Sequence, residues 1–176
     1  MLVKLPFVLD PDIKKNILDF VFSSDPFYWT ENTSGNTFNR KFCMLNKYNL
    51  PLTTLIKEYS INIFSLLNIT KQLEEKTFGN FIGVQKEGGF VHPHTDSRND
   101  NGWDHVRVNF LVSKPKEGGM PIINNEPYTI EENLSWFNYA SKWTHSSTPV
   151  IGDTPRIVLS LGAFVNPVEL HEAKVY

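Results

Sequence analysis

Apolar residues in the first third of the chain recur at helical spacing. Ile13, Ile17, Leu18 and Val21 mark one helix face. Asp10-Pro11-Asp12 opens that helix: Asp10 can cap it, Pro11 fits its first position, and Asp12 suits the positive end of its dipole. Ser23-Ser24-Asp25-Pro26 stops it. A second stripe of Leu52, Leu55, Ile56, Tyr59, Ile63, Leu66 and Leu67 predicts a longer helix, opened at Pro51 and closed near Asn68, that packs on a sheet. Between the two, Tyr28 to Asn46 is polar and mixed and reads as a hairpin or loop.

From Phe78 the period changes. Short runs rich in Val, Ile and Phe alternate with turn signals. They predict strands at Phe78–Gln85, Phe90–Asp96, His105–Ser113, Met120–Asn124, Tyr128–Ile130, Leu134–Tyr139, Trp143–Ser147 and Arg156–Val165. Lys86-Glu87-Gly88-Gly89, Glu117-Gly118-Gly119 and Ile151-Gly152-Asp153 are turns, and Asn124-Asn125 suits a tight hairpin. The pattern predicts a mainly β fold, a jelly-roll double sheet buttressed by N-terminal α-helices. Residues 1–176 read as one domain, with mainly helical support over 1–76, the strand core over 77–167 and a tail over 168–176.

Composition narrows the function classes. The net charge of -2 is spread over both signs without a basic block, which argues against a nucleic-acid-binding face. Cys43 is the single cysteine, so neither an intramolecular disulfide nor a cysteine zinc cluster is expected. No apolar run is long enough to span a membrane. The N-terminal Met1-Leu2-Val3-Lys4-Leu5-Pro6 lacks the apolar core of a signal peptide, so the cytoplasm is the expected compartment.

The chemistry concentrates in Phe90-Val91-His92-Pro93-His94-Thr95-Asp96. Strand alternation puts His94 and Asp96 on one face. A further histidine, His145, follows, and then Arg156 at the head of an apolar strand. Two imidazoles and one carboxylate leave other metal positions free, a set suited to non-haem Fe(II) that binds a cosubstrate and oxygen. The Gly152-Asp153 turn is expected to fold the strand of Arg156 back beside the strand of His145 as an antiparallel neighbour. Arg156 would then grip the far end of an anionic cosubstrate through paired hydrogen bonds. Each residue has a plainer reading: a structural His94–Asp96 pair, a satisfied His145, or an ion pair at Arg156.

The order His94-Thr95-Asp96, His145, Arg156 resembles the signature of Fe(II)/2-oxoglutarate-dependent dioxygenases. Phe81 to Asp96 is similar to the strand-turn-strand entry of prolyl 4-hydroxylase-like members, and Gly118-Gly119-Met120-Pro121 resembles the Gly-Gly turn before their next strand. The region from Val106 to Phe110, Trp136-Phe137 and His145 to Arg156 is also similar to aspartyl/asparaginyl and free-proline hydroxylases. The resemblance covers roughly the last hundred residues. It implies a double-stranded β-helix, with His94, Asp96 and His145 binding Fe(II) and Arg156 binding 2-oxoglutarate. It also implies O2 as oxidant, with ascorbate a candidate reductant, and hydroxylation coupled to conversion of 2-oxoglutarate to succinate and CO2. The expected substrate is a small molecule or peptide, with a proline or asparagine/aspartate side chain favoured. Nucleic-acid demethylases of this superfamily commonly carry a second arginine soon after the clamp, whereas Arg156 is the last arginine here.

Further candidates surround this set. Arg107 and Asn109 share a strand face and could contact 2-oxoglutarate or substrate, or form an edge-strand ion pair. Ser160 shares the face of Arg156 and could bond the same carboxylate; Gln85 and Asn80 are weaker candidates. His92 lies near the pocket or is simply exposed, although His92, His94 and His145 could form a cupin-like three-histidine site. Trp103, Trp136 and Trp143 read as core, and Ser97–Trp103 as a lid or a surface loop. His105 and His171 join no constellation. A cupin-like isomerase or sensor, or an inactive barrel used as a binding module, stays open.

Overall fold

The computed structural model describes residues 3–32, 39–99 and 101–173. Met1 and Leu2, the middle of the Tyr28–Asn46 region, Asp100 of the Ser97–Trp103 loop and the end of the 168–176 tail lie outside the described residues.

The N-terminal part runs β1 (Val3–Val8), α1 (Pro11–Ser23), β2 (Thr30–Asn32), β3 (Arg40–Met44), α2 (Pro51–Leu66) and β4 (Gln72–Glu74). The strand-rich part runs β5 (Phe81–Gln85), β6 (Val91–His94), β7 (Asp104–Ser113), β8 (Glu117–Gly118), β9 (Pro121–Ile123) and β10 (Glu126–Pro127). It continues through β11 (Leu134–Asn138), β12 (His145–Ser147), β13 (Val150–Ile151), β14 (Arg156–Val165) and α3 (Pro167–Glu172). The major sheet is ordered β1-β11-β7-β14-β5-β3-β2, with β4 also on β14; a second sheet is ordered β10-β9-β12-β6. All pairings are antiparallel, and the two sheets form the double-stranded β-helix expected from the sequence.

Both predicted helices form for the stated reasons. The Asp10 carboxylate accepts from Asp12 N–H at 2.8 Å and Ile13 N–H at 3.2 Å, and Pro11 opens α1. In α2 the buried face is Leu52, Ile56, Ser60, Ile63 and Phe64; Leu66, placed in the predicted stripe, is exposed. A period of 3.6 carries the face through Phe64 and Leu67 and turns Leu66 outward.

Alternation along the major sheet makes two interiors. Ile82, Val84, Val108, Phe110, Ile157 and Leu159 face α1 and α2, each contributing about 1.5–3 kcal/mol by burial. The opposite face of the same strands looks toward the second sheet, where Leu111, Ile123, Ile130, Trp136 and Val158 form a smaller apolar cluster.

The sequence reading is corrected in four places. Residues 3–76 supply β1 to β4 as well as helices, and these strands widen the major sheet. The expected strand at Tyr128–Ile130 is instead β10, because Asn124 and Asn125, both at positive φ, turn the chain within two residues and pair Ile123 with Glu126. The strand expected from Trp143 begins at His145, because the N–H groups of Lys142 and Trp143 turn back onto Tyr139 O. Finally, β12 and β14 are not neighbours. The chain passes through β13 and the Gly152 turn before entering the other sheet, so His145 and Arg156 face one another across the sandwich.

Candidate metal centre

The registers of β6 and β12 bring the histidines together. His94 pairs directly with His145, and their rings lie 4.2 Å apart. His94 Nδ1 is 2.7 Å from His92 O, and His145 Nδ1 is 3.0 Å from Trp143 O. A carbonyl only accepts, so each Nδ1 carries a proton, which leaves Nε2 as the ring nitrogen that can bind a metal once it is unprotonated. Those Nε2 atoms lie 3.4 Å and 3.9 Å from Asp96 Oδ1. The three ligand atoms fall within 4.8 Å of one another.

Asp96 stands just beyond β6, its N–H bonded to Ala140 O at 2.8 Å. Its second oxygen, Oδ2, faces Arg107 Nε at 3.4 Å and His105 Nδ1 at 3.3 Å. Oδ1 is thereby left for a metal. Burial alone would push the Asp96 carboxyl up. The hydrogen bond with His94 and the charges of Arg107, His145 and His105 outweigh burial and hold it well below the carboxylate range. Burial lowers His145, while the Asp96 hydrogen bond raises His94. His105 is lowered to about 4, chiefly by burial and then by Arg107, so it is a neutral imidazole at pH 7.

Arg107 is a buried hub. Nη2 meets Glu75 at 3.1 Å, and Nη1 donates to Gly79 O at 3.1 Å and Ser160 Oγ at 3.3 Å. Glu75 also accepts from the N–H groups of Thr77, Phe78 and Gly79. Gly162 leaves the guanidinium its room, since a Cβ there would lie 2.7 Å from Arg107 Nη1. The expected edge-strand alternative for Arg107 is therefore corrected: β7 is central, and the ion pairs are buried.

Across the pocket, Arg156 is buried and donates from Nη1 to Gln85 Oε1 at 2.5 Å. Gln85 Nε2 donates in turn to Ser147 Oγ at 2.9 Å, joining the two sheets. Arg156 Nε is buried without a hydrogen-bond partner, and no carboxylate neutralises the guanidinium among the described residues. Burial, then Arg40, lowers it to about 9, still cationic at neutral pH. Gly119, at φ +62, lets the chain pass; a Cβ there would lie 2.9 Å from Arg156 Cδ.

The centre and Arg156 open into one pocket of ≈ 140 Å³. Asn109, Gln85 and Ser160 line it as the sequence suggested, but the Ser160 hydroxyl accepts from Arg107. Trp136, expected as core, also lines it, beneath Arg156 at 5.9 Å. Asn80 lies behind the sheet against Ser60 and Gly162. His92 is exposed outside the lining, its carbonyl serving His94. Trp143 packs on Phe137 and Tyr139. Arg98, in the Ser97–Trp103 loop, is tied to buried Asp104 at 2.8 Å. His171 lies on α3, outside the pocket lining.

Three residues that line or brace the site were missed. His105 was visible only through its alternation with Arg107. Glu75 sits in Glu74-Glu75-Lys76, where nothing separates it from a solvated charge run. Arg40, which lines the pocket, lies in the region read as hairpin or loop.

No protein-family model matches the sequence, and no curated protein matches it. Solved structures do. A prolyl-4-hydroxylase from Pseudomonas putida aligns with TM-score 0.62 at 12% identity, over 94% of this chain and 92% of that one. The fold is that of the prolyl hydroxylases. A viral collagen prolyl hydroxylase from Paramecium Bursaria Chlorella virus-1, in complex with 2OG, gives 0.61 at 15% identity, over 93% and 96%. SnoN, a non-heme alpha ketoglutarate dependent epimerase from nogalamycin biosynthesis, gives 0.70 at 14% identity, over 94% and 81%.

Proposed function

We propose that this chain is an Fe(II)- and 2-oxoglutarate-dependent oxygenase that hydroxylates a C–H bond of an amino-acid side chain, proline or asparagine/aspartate, free or in a peptide. One observation carries the reading. Two imidazole nitrogens and one carboxylate oxygen converge, free of other partners, opposite a buried arginine without a counter-ion. The donor set fits ferrous iron and leaves positions for a chelating oxo acid and oxygen. His92 lies outside both the pocket lining and the converging ligand group, which speaks against the three-histidine alternative. The solved structures of the same fold that are named as 2-oxoglutarate-dependent or in complex with 2OG add support.

His94, Asp96 and His145 would hold the iron. The iron, with its cosubstrate, supplies the oxidising chemistry while 2-oxoglutarate becomes succinate and CO2. The carbonyls of His92 and Trp143 fix both imidazole tautomers, and Arg107 with His105 fixes the carboxylate. Arg156, steadied by Gln85, would take the far carboxylate of 2-oxoglutarate through paired hydrogen bonds. Trp136, Ile123 and Val158 keep that part of the pocket apolar and restrict water.

Anaerobic titration of 2-oxoglutarate into the Fe(II) protein tests the reading. A visible charge-transfer band of the chelated 2-oxo acid is expected, and its absence at saturating metal and ligand rejects the assignment. Arg156→Ala is expected to keep stoichiometric iron but weaken 2-oxoglutarate about 10- to 100-fold, the equivalent of about 1.5–3 kcal/mol for hydrogen bonds to a charged group. An unchanged dissociation constant would move the clamp elsewhere. Hydroxylation itself is read by mass spectrometry, as one added oxygen on a candidate amino acid or peptide after aerobic turnover with ascorbate.

A further inference from the structure

Arg40 has no role in the chemistry above, yet it shares the pocket. Its position follows from register. Arg40 pairs with Gln85, and Gln85 pairs with Arg156, so three adjacent strands carry these side chains in one row. Directly opposed residues of antiparallel strands point to the same face, here the face that lines the pocket. The backbone under Arg40 is held: Lys86 N–H donates to Asn39 O at 3.1 Å, and Asn39 Nδ2 donates to Glu87 O at 2.6 Å.

The guanidinium stands over the Phe42 ring at 5.3 Å, and no carboxylate forms an ion pair with it among the described residues. The carboxylates at the site are committed, Asp96 to the histidines and Arg107, Glu75 to Arg107 and three backbone N–H groups. Burial lowers Arg40 only to about 10, so it stays charged at neutral pH. Three guanidiniums, Arg40, Arg107 and Arg156, thus face two carboxylates. Ferrous iron adds two positive charges and 2-oxoglutarate brings two negative ones. One positive charge is left uncompensated, and Arg40, which feels Asp96 only at a distance, is the cation without an ion pair.

We propose that Arg40 recognises a carboxylate of the prime substrate, so that the substrate is itself a carboxylic acid. The inference rests on the oxygenase reading and deepens it. Arg156 selects the cosubstrate, and Arg40, two strands away on the same row, selects the substrate.

Trifluoroacetate is a suitable probe, with neutral trifluoroacetamide as its control. Mn(II) is loaded at the triad, 2-oxoglutarate is added to saturation, and relaxation enhancement of the fluorine signal reports a probe bound near the metal. Saturable enhancement is expected for trifluoroacetate and about tenfold weaker binding for the amide, as for loss of a charge-assisted hydrogen bond. Arg40→Gln is expected to abolish the difference between acid and amide while 2-oxoglutarate affinity stays within about twofold. Arg40→Lys should keep part of the difference, and it serves as the test variant if the glutamine variant does not fold. Equal acid and amide binding in the wild type, no enhancement with either probe, or an unchanged difference in Arg40→Gln overturns the proposal. A tenfold loss of 2-oxoglutarate affinity in Arg40→Gln also overturns it, assigning the residue to the cosubstrate. Failure of 2-oxoglutarate to bind the wild type is read beforehand and rejects the oxygenase reading instead.

Discussion

Asp96→Ala is expected to lower Fe(II) affinity by more than about 100-fold, beyond the usual effect of losing a residue that merely orients a ligand. Asp96 supplies the only carboxylate oxygen of the triad, and its Oδ1 lies within 4 Å of both histidine Nε2 atoms, at 3.4 Å and 3.9 Å. The fold should survive, because Arg107 keeps Glu75, Gly79 O and Ser160 when Asp96 is gone. Iron per protein, measured by elemental analysis after desalting, is the direct readout, with circular dichroism as the control. Full stoichiometry in Asp96→Ala would dismiss the metal assignment. Asp96→Glu is the finer probe: its extra methylene pushes the carboxylate into the space between the histidines and away from Arg107 and His105, so metal is retained more readily than geometry.

Glu75→Ala should have the largest effect on stability. The change strands a buried guanidinium and leaves the Thr77, Phe78 and Gly79 N–H groups without their acceptor. Breaking a buried pair in this way costs about 3–5 kcal/mol, which for a chain of this size lowers Tm by about 10 °C. The pH dependence has a definite sign. Burial raises the Glu75 pKa, but the backbone N–H groups and Arg107 outweigh it and hold the folded value below the ordinary one. The stabilisation is therefore complete above the unfolded carboxylate pKa and is lost as pH falls through the folded value. Wild type and Glu75→Ala should differ most near neutral pH and converge in acid. A Tm within about 2 °C of wild type at pH 7 would show that Arg107 finds another partner.

The legible parts of the sequence were those that local pattern dictates. Pro11 and the Asp10 cap announced α1, apolar runs between turn signals announced β7 and β14, and Asn124-Asn125 announced a hairpin. His94, Asp96, His145 and Arg156 stood out because their residue types and order suit one chemistry, and they do line one pocket. What failed depends on distant partners. Strands β2 and β4 are short and β1 is interrupted at Pro6, and they acquire their conformation by pairing with β3, β14 and β11. Sheet membership of β12 and β14 could not be read from the turn between them, since a turn fixes a change of direction and not the neighbour. Glu75 and Arg40 are ordinary surface types by composition, and only register brings them to Arg107 and Gln85.

The division of the site between two sheets acts as a caliper. The imidazoles belong to β6 and β12, and Arg156 belongs to β14 on the opposing sheet. Facing sheets pack about 10 Å apart, so the jaws are set by the sandwich and not by any loop. The spacer between them is the apolar wall of Ile123, Trp136 and Val158. In the proposed reaction that spacer fixes the chain length of the oxo diacid that can touch metal and guanidinium together. Trimming Ile123 or Val158 would reset the gauge without touching a single polar group, so discrimination between five- and six-carbon diacids is written in hydrocarbon.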